Sequence, residues 1–276
     1  ELEGLLKGAR ELDPILHGFK NTKLLNIGVH DILGKLTIQH TTQQLSEVAQ
    51  VVISAVADLH WNQLIEELGR PTHADDPERT SWYAVLGMGK FGGGELGYHS
   101  DLDLILVYEA DGNTMRAGGG RFGATTSNHH FFTELAQRIV KTTTRMSPFG
   151  RLYSIDLRLR PTGRSGSLVH PLTKFDAYYA STQCQLWERQ ALTRARIVHG
   201  DKEFSERVAH SVRHAIVGVS WRPELVDEIQ SMRKRLEASR ASKDLKRGPG
   251  GIVDVEFAVQ LLQIRHGLSC PEILRP

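Results

Sequence analysis

Asp101-Leu102-Asp103 is the first place in this chain where residue type and spacing combine into chemistry. Successive side chains of an extended strand point to opposite faces, so the two carboxylates project from one face while Leu102, Leu104 and Leu106 occupy the other. Two carboxylates side by side can share a hard divalent cation such as Mg²⁺. A third acid lies downstream in "SIDLRLR", where Ile155, Leu157 and Leu159 make an apolar face and Asp156, Arg158 and Arg160 the opposite one. Three carboxylates suit two metal ions, and neighbouring guanidinium groups suit a polyphosphate. Taken singly, a D-x-D is an ordinary solvated strand end, and alternating carboxylate and guanidinium is an exposed edge with ion pairs. Taken together, below a run of glycines, they favour metal-dependent phosphate chemistry.

The glycines offer a competing reading. Gly87, Gly89 and Gly92 satisfy G-x-G-x-x-G, and Glu109 lies 20 positions after Gly89, where a ribose-binding acid would sit. Length decides against it. A parallel crossover needs a helix of about a dozen residues, and only eight residues separate Gly93 from Leu102. The two strands are therefore expected to be joined by a glycine-rich turn. A Walker P-loop is excluded because Lys90 lacks the four-residue spacing and is followed by Phe91 rather than Ser or Thr.

Elements must hold these residues. "WYAVLGM" (82–88) and "LDLILVY" (102–108) read as strands, and the alternation in 151–161 predicts a third that ends at Pro161. Helical spacing runs through 42–69, with Thr41 and Gln44 as a capping box and Gly69 before Pro71 as the stop. Further helices are predicted over 129–146, over 174–198, beyond Pro223 and after "GPGG" (248–251). The stretch 70–81 reads as a connector. The stretch 110–128, with Gly118 to Gly120, reads as a loop. Three parts follow: a helical segment 1–72, a catalytic domain 73–200, and the start of a C-terminal helical domain over 201–276.

Composition narrows the class. The 276 residues are 40% hydrophobic, enough for a sizeable core without staples. Lys plus Arg (34) almost balance Asp plus Glu (32), so no polybasic sheath for nucleic acid is expected and a phosphate site must be local. Cys184 and Cys270 fit no C-x-x-C pattern, which points to a reducing, cytoplasmic setting. No apolar run approaches the roughly 18 residues of a membrane span. The chain starts at Glu1 without Met and stops at Pro276 after a helical segment, so it reads as a piece of something longer.

Four blocks in order carry a family resemblance: "LGMGKFGGGELGYHSDLDLILVYE", "LYSIDLRLRPTGRSGSLV", "LWERQALTRARIVHGD" and "GPGGIVDVEFAVQLLQIRHG". The chain resembles the glutamine synthetase adenylyltransferase family of the polymerase beta-like nucleotidyltransferase superfamily, over nearly everything after about residue 20. It departs from the family's block at His99, where a small residue is usual. The resemblance implies an α+β fold, a nucleotidyltransferase domain with a mixed or antiparallel sheet flanked by N- and C-terminal helical segments. It implies one of two related halves, which either adds AMP from ATP to a tyrosine of glutamine synthetase or removes it by phosphorolysis to give ADP. "ELGYHSDLDL" and "WERQALTRAR" look more like the adenylylating half and "GMGK" like the other, and adenylylation is preferred.

On this resemblance Asp101 and Asp103 bind two Mg²⁺ ions and Asp156 completes the one that activates the nucleophile. Gly92, Gly93 and Ser100 would supply hydrogen bonds to phosphate, and Lys90, Arg158 and Arg160 would offset its charge. PII signalling protein and glutamine are implied as regulators of the full-length enzyme. Alternatives outside this reading are a nucleotidyltransferase acting on RNA or a small molecule, and a non-catalytic nucleotide-binding module. Other features are read conservatively. His30-Asp31 lacks the partners of a metal-dependent phosphohydrolase. His129 and His130 lack H-E-x-x-H spacing and suit a helix start. Leu186, Trp187 and Leu192 read as core, and the charged run 233–247 as a solvated helix face. The roles of Arg194, Arg196, Asp254 and Glu256 are left open.

Overall fold

The protein is described by a computed structural model covering residues 12–116, 124–238 and 244–274, with Leu2 and Gly4. Two helices lead in, α1 (Asp13–Ile32) and α2 (Ile38–Leu68). α2 starts earlier than the expected capping box, because Thr37 is already extended and its hydroxyl accepts from His40 N at 3.3 Å. Thr41 is left inside the first turns, buried, where its hydroxyl donates to Asp31 Oδ1 at 3.0 Å. α2 stops at Gly69 as expected. The φ there is +88°, and a Cβ would lie 2.7 Å from the backbone of Met115, so glycine is required twice over.

After the two-residue β1 (Arg70–Pro71) come β2 (Tyr83–Met88), the one-turn helix α3 (Gly89–Gly92) and β3 (Leu102–Tyr108). β2 and β3 pair antiparallel from Tyr83↔Tyr108 to Met88↔Asp103, joined by the glycine-rich connection, so the crossover that a dinucleotide fold needs is absent here. β1, β4 (Asn113–Met115) and β5 (Ala124–Ser127) form a small antiparallel sheet. The stretch 110–128, expected to be a loop, instead supplies β4 and β5, because its two ends pair with each other and β4 also pairs with β1; residues 117–123 between them lie outside the described residues. Ser127 caps α4 (Asn128–Thr144) by accepting from His130 N, which places His129 and His130 at a helix start.

The main sheet runs β6 (Ile155–Asp156), β3, β2, β8 (Arg196–Gly200), and β7 (Val169–Pro171) also pairs with β3. β6 and β7 are parallel to β3, while β2 pairs antiparallel with both β3 and β8, so the sheet is mixed. Two expectations are corrected here. The strand over 151–161 is only two residues long, because the Asp156 carboxylate accepts from Arg158 N at 2.8 Å and turns the chain out of the sheet. The helix over 174–198 is instead α5 (Leu172–Ala180), α6 (Leu186–Leu192) and β8. Ser181 ends α5, with its hydroxyl donating to Tyr178 O. Gln185 and Glu188 then form a capping box for α6, and Arg196, Ile197, His199 and Gly200 pair with the otherwise open edge of β2.

Both faces of the sheet are buried, which is why β2 and β3 read as continuous apolar runs. Tyr83, Val85, Leu102, Leu104, Leu106 and Tyr108 pack with α2 and α4, through Val52, Val56, Trp61, Phe131, Phe132 and Ile139. Ala84, Leu86, Met88, Ile105 and Val107 pack with α5 and α6, with α7 (Lys202–Val217), and with Ile264 of α9 (Ile252–His266). α8 (Glu224–Ala238) lies against α9 and α6. The divisions expected near residues 72 and 200 fall at element ends, and each core joins elements from both sides of one of them.

Glu109, the acid that a ribose site would have used, is a buried joint. It accepts from Arg79 Nη2 at 2.6 Å and Trp82 N at 3.3 Å and pairs with Arg207, and His73 Nε2 lies 3.3 Å away. Burial alone would raise its pKa, but the hydrogen bonds from Arg207, Trp82 and His73 outweigh it and hold the carboxyl below its ordinary 4.5. A depressed carboxyl stabilises the fold above its unfolded pKa and loses that contribution as pH falls through the folded value. Glu109→Gln is therefore expected to cost about 2 kcal/mol near neutral pH, less than a fully buried pair because Arg79 and Arg207 are half-exposed. Urea unfolding across pH measures it: the gap should close on acidification, and a gap that stays constant down to about pH 3 would contradict the assignment.

Candidate active site

Two of the acids meet where β3 and β6 pair. Asp103 and Asp156 are register partners on these parallel neighbours, and Asp101 stands one residue before β3, exposed to solvent. Asp103 is half-buried, and its carboxyl is pushed up to about 6. Desolvation is the largest cause, followed by the charges of Asp156 and Asp101, with Arg158 and Lys246 partly offsetting them. Asp156 is held by Arg158, whose backbone N and Nε donate at 2.8 and 2.6 Å and whose Nη2 completes the ion pair. Gly89 has φ +52°, and a Cβ there would sit 2.7 Å from Asp103 Oδ2, so the glycine keeps the space beside that oxygen open.

The other expected site residues divide. Arg158 is exposed and stays with the acids. Arg160 is buried and directed elsewhere: its guanidinium donates to Leu157 O at 2.6 Å, Ser167 O at 2.9 Å and Gly166 O at 3.3 Å, so it anchors the loop between β6 and β7. Gly92 is buried against backbone, since a Cβ would meet Arg194 O at 1.8 Å and Gly87 O at 2.4 Å. Gly93 N already donates to Gly89 O at 3.0 Å. Ser100 Oγ accepts from Gly97 N at 3.0 Å and shapes the turn that delivers Asp101. Lys90 is exposed on α3.

Several side chains outside the motifs hold this region. Asp31, left without a role by the sequence, accepts from Tyr98 Oη at 2.9 Å and ties α1 to the turn before Asp101. Arg196 joins α2 to the glycine-rich turn, donating to Gln50 Oε1 at 2.6 Å and Gly92 O at 3.1 Å. Arg194 bridges Glu95 of that turn and Glu256 of α9, at 2.8 Å from the latter. Asp254 pairs with Arg233 and accepts from Gly250 N at 2.6 Å. Residue type alone carries no signal for these roles, because each depends on a partner distant in sequence.

Among the described residues, no three His, Cys, Asp or Glu side chains converge as a ready-made metal cage. The donor set nevertheless fits Mg²⁺. It consists of hard carboxylate oxygens only, their mutual repulsion is relieved by a cation, and the open space at Gly89 leaves room beside Asp103.

Residues 6–211 match the family model for glutamate-ammonia ligase adenylyltransferase, and residues 224–275 match the model for GlnD PII-uridylyltransferase. A curated relative, the bifunctional glutamine synthetase adenylyltransferase/adenylyl-removing enzyme of Thioalkalivibrio sulfidiphilus, is 37% identical over 266 residues, which is 94% of this chain. The chain spans 27% of that relative's length.

Proposed function

The chain belongs to the glutamate-ammonia ligase adenylyltransferase family, and on that premise we propose that it transfers AMP from ATP to a tyrosine of glutamine synthetase. The observation that carries this is the register pairing of Asp103 with Asp156, with Asp101 beside them and the open glycine at position 89. Asp101, Asp103 and Asp156 would hold Mg²⁺. Bound there, Mg²⁺ would polarise the phosphate and ease loss of the proton from the attacking tyrosine hydroxyl. Arg158 supplies positive charge at the same acids, and its hold on Asp156 keeps that carboxylate oriented before nucleotide arrives. The turn through Gly93 and Ser100 sets the position of Asp101, and Lys90 on α3 adds a second exposed cation.

The curated relative is named for both addition and removal of AMP. Removal by phosphorolysis would use the same carboxylates with inorganic phosphate as nucleophile, so direction is decided by assay. On this reading the substrate partner is glutamine synthetase, and PII protein and glutamine regulate the longer protein. Neither nucleic acid nor membrane takes part, and the setting is the cytoplasm. No helix among the described residues is long and apolar enough to cross a membrane. The division into a helical segment 1–72, a catalytic domain 73–200 and a helical region from 201 belongs to the same proposal.

The test is incubation with α-phosphate-labelled ATP, Mg²⁺ and unmodified glutamine synthetase, alongside AMP-modified synthetase with phosphate. Label on the synthetase is expected. ADP released only from the modified protein would replace adenylylation with the reverse reaction. Nucleotide binding with no transfer in either direction would leave a non-catalytic module.

A further inference from the structure

The turn ahead of α9 carries a cation, Lys246, that belongs neither to the strands nor to the glycine-rich connection. Within it Lys246 N donates to Asp244 Oδ1 at 2.9 Å, and Val253 N donates to Lys246 O at 3.1 Å. Arg233 of α8 fastens the same turn, donating to Gly248 O at 3.0 Å and pairing with Asp254. The turn is thereby fixed to both helices. α9 is in turn fixed to the glycine-rich connection, because Arg194 spans Glu256 and Glu95. Gly93, Glu95, Arg194, Ile252 and Glu256 line one cavity of about 320 Å³ between them. The start of α9, and the turn before it, therefore sit beside the segment that leads into Asp101.

The Lys246 side chain is exposed, and among the described residues no carboxylate pairs with its ammonium group. Its charge reaches Asp103 from this turn. Of the cations that the motifs suggested, Arg160 is committed to three carbonyls and Arg158 to Asp156, while Lys90 is exposed on α3; Arg194 is held by two glutamates, and Arg196 by Gln50 and the carbonyls of Phe91 and Gly92. Three carboxylates repel a triphosphate, so a group that holds the polyphosphate there must be cationic and free to move onto it. A lysine ammonium on a flexible stem meets both needs.

We propose that Lys246 is a nucleotide-binding residue whose ammonium group takes the β- and γ-phosphates of a nucleoside triphosphate bound at Asp101, Asp103 and Asp156. The inference rests on the nucleotidyltransfer reading and deepens it, since it makes the C-terminal helical region part of the nucleotide site. Lys246 would contribute to affinity for triphosphate but not for AMP, which carries only the α-phosphate.

The test is equilibrium binding of α,β-methylene-ATP with Mg²⁺, and of AMP, to the 276-residue chain and its K246A and K246R variants, with a thermal melt of each. K246A is expected to weaken the ATP analogue by about tenfold or more, as loss of a charge-assisted phosphate contact does. Affinity for AMP should stay within about twofold, the melting midpoint should hold, and K246R should recover most of the loss. Unchanged affinity for the analogue in K246A overturns the proposal. Equal weakening of both nucleotides, or a lowered midpoint in K246A, overturns it in favour of a structural role for the turn. A wild-type chain that binds neither nucleotide overturns the nucleotidyltransfer reading and this inference with it.

Discussion

Asp103→Asn is expected to lower AMP transfer by about a thousandfold or more while making the folded chain more stable at pH above about 6. The first effect follows from the loss of a carboxylate shared between bound cations, where metal-assisted charge stabilisation contributes several kcal/mol and about 1.4 kcal/mol is a factor of ten in rate. The second follows from the surroundings of Asp103. Burial and the charges of Asp156 and Asp101 push its carboxyl from 3.8 up to about 6. A carboxyl raised in the folded state destabilises the fold once pH exceeds the unfolded value, and the full cost is present above the folded value. The amide removes it, and after allowing for solvent screening at a half-exposed group the gain is about 1–2 kcal/mol. Added Mg²⁺ should raise the wild-type midpoint and leave the Asn variant much less affected. Melting curves at about pH 4 and pH 8 with and without Mg²⁺, beside the labelled-ATP assay, measure both effects. A variant that keeps near wild-type turnover, or that is destabilised equally at both pH values, would remove Asp103 from the centre of the site.

Gly92→Ala is expected to be among the most damaging single methyl additions in the chain, costing on the order of 4 kcal/mol or abolishing soluble expression. A Cβ at residue 92 would sit 1.8 Å from Arg194 O and 2.4 Å from Gly87 O, and both are backbone atoms that no rotamer change can move. Relieving the overlap means parting the glycine-rich turn from the segment that enters β8. Two neighbours provide the comparison. Gly93→Ala meets the Arg194 guanidinium at 3.2 Å, the far end of a flexible side chain, and should cost much less. Gly94→Ala meets nothing within 4 Å and incurs only the strain of φ +70°, about 1 kcal/mol. Denaturant unfolding of the three variants ranks them, and Gly92→Ala no worse than Gly94→Ala would refute the packing argument. The reasons for glycine in this motif differ: at Gly92 it permits backbone packing, and at Gly89 it leaves space beside Asp103.

The sheet centre was legible because its rules are local. β2 and β3 stand where their apolar runs are, and their antiparallel pairing follows from a connection too short for a crossover helix. The placing of Asp103 opposite Leu102 and Leu104 follows from the two-residue period of a strand. What misled the sequence reading was hydrogen bonding that side-chain periodicity does not encode, local in one place and long-range in the other. The alternation in 151–161 is genuine, yet Arg158 N bonds the Asp156 carboxylate and the strand stops there, sending Arg158 to the acids and Arg160 to loop carbonyls. Residues 196–200 look helical in continuation of what precedes them, but β2 has an open edge and a strand at that edge satisfies backbone groups that a helix would leave unpaired.

By itself the amino-acid sequence determined the family, the α+β class and the two central strands, because periodicity, loop length and ordered motifs are properties of near neighbours. The tertiary structure alone decided which cations face those acids. The charges of Arg158 and Lys246 both act on the Asp103 carboxyl, Arg160 is taken up by carbonyls of its own loop, and Arg194 and Arg196 are taken up by carboxylates, carbonyls and an amide far along the chain. A charged side chain goes where folding leaves its strongest partner, and that partner is known only once distant segments have been brought together.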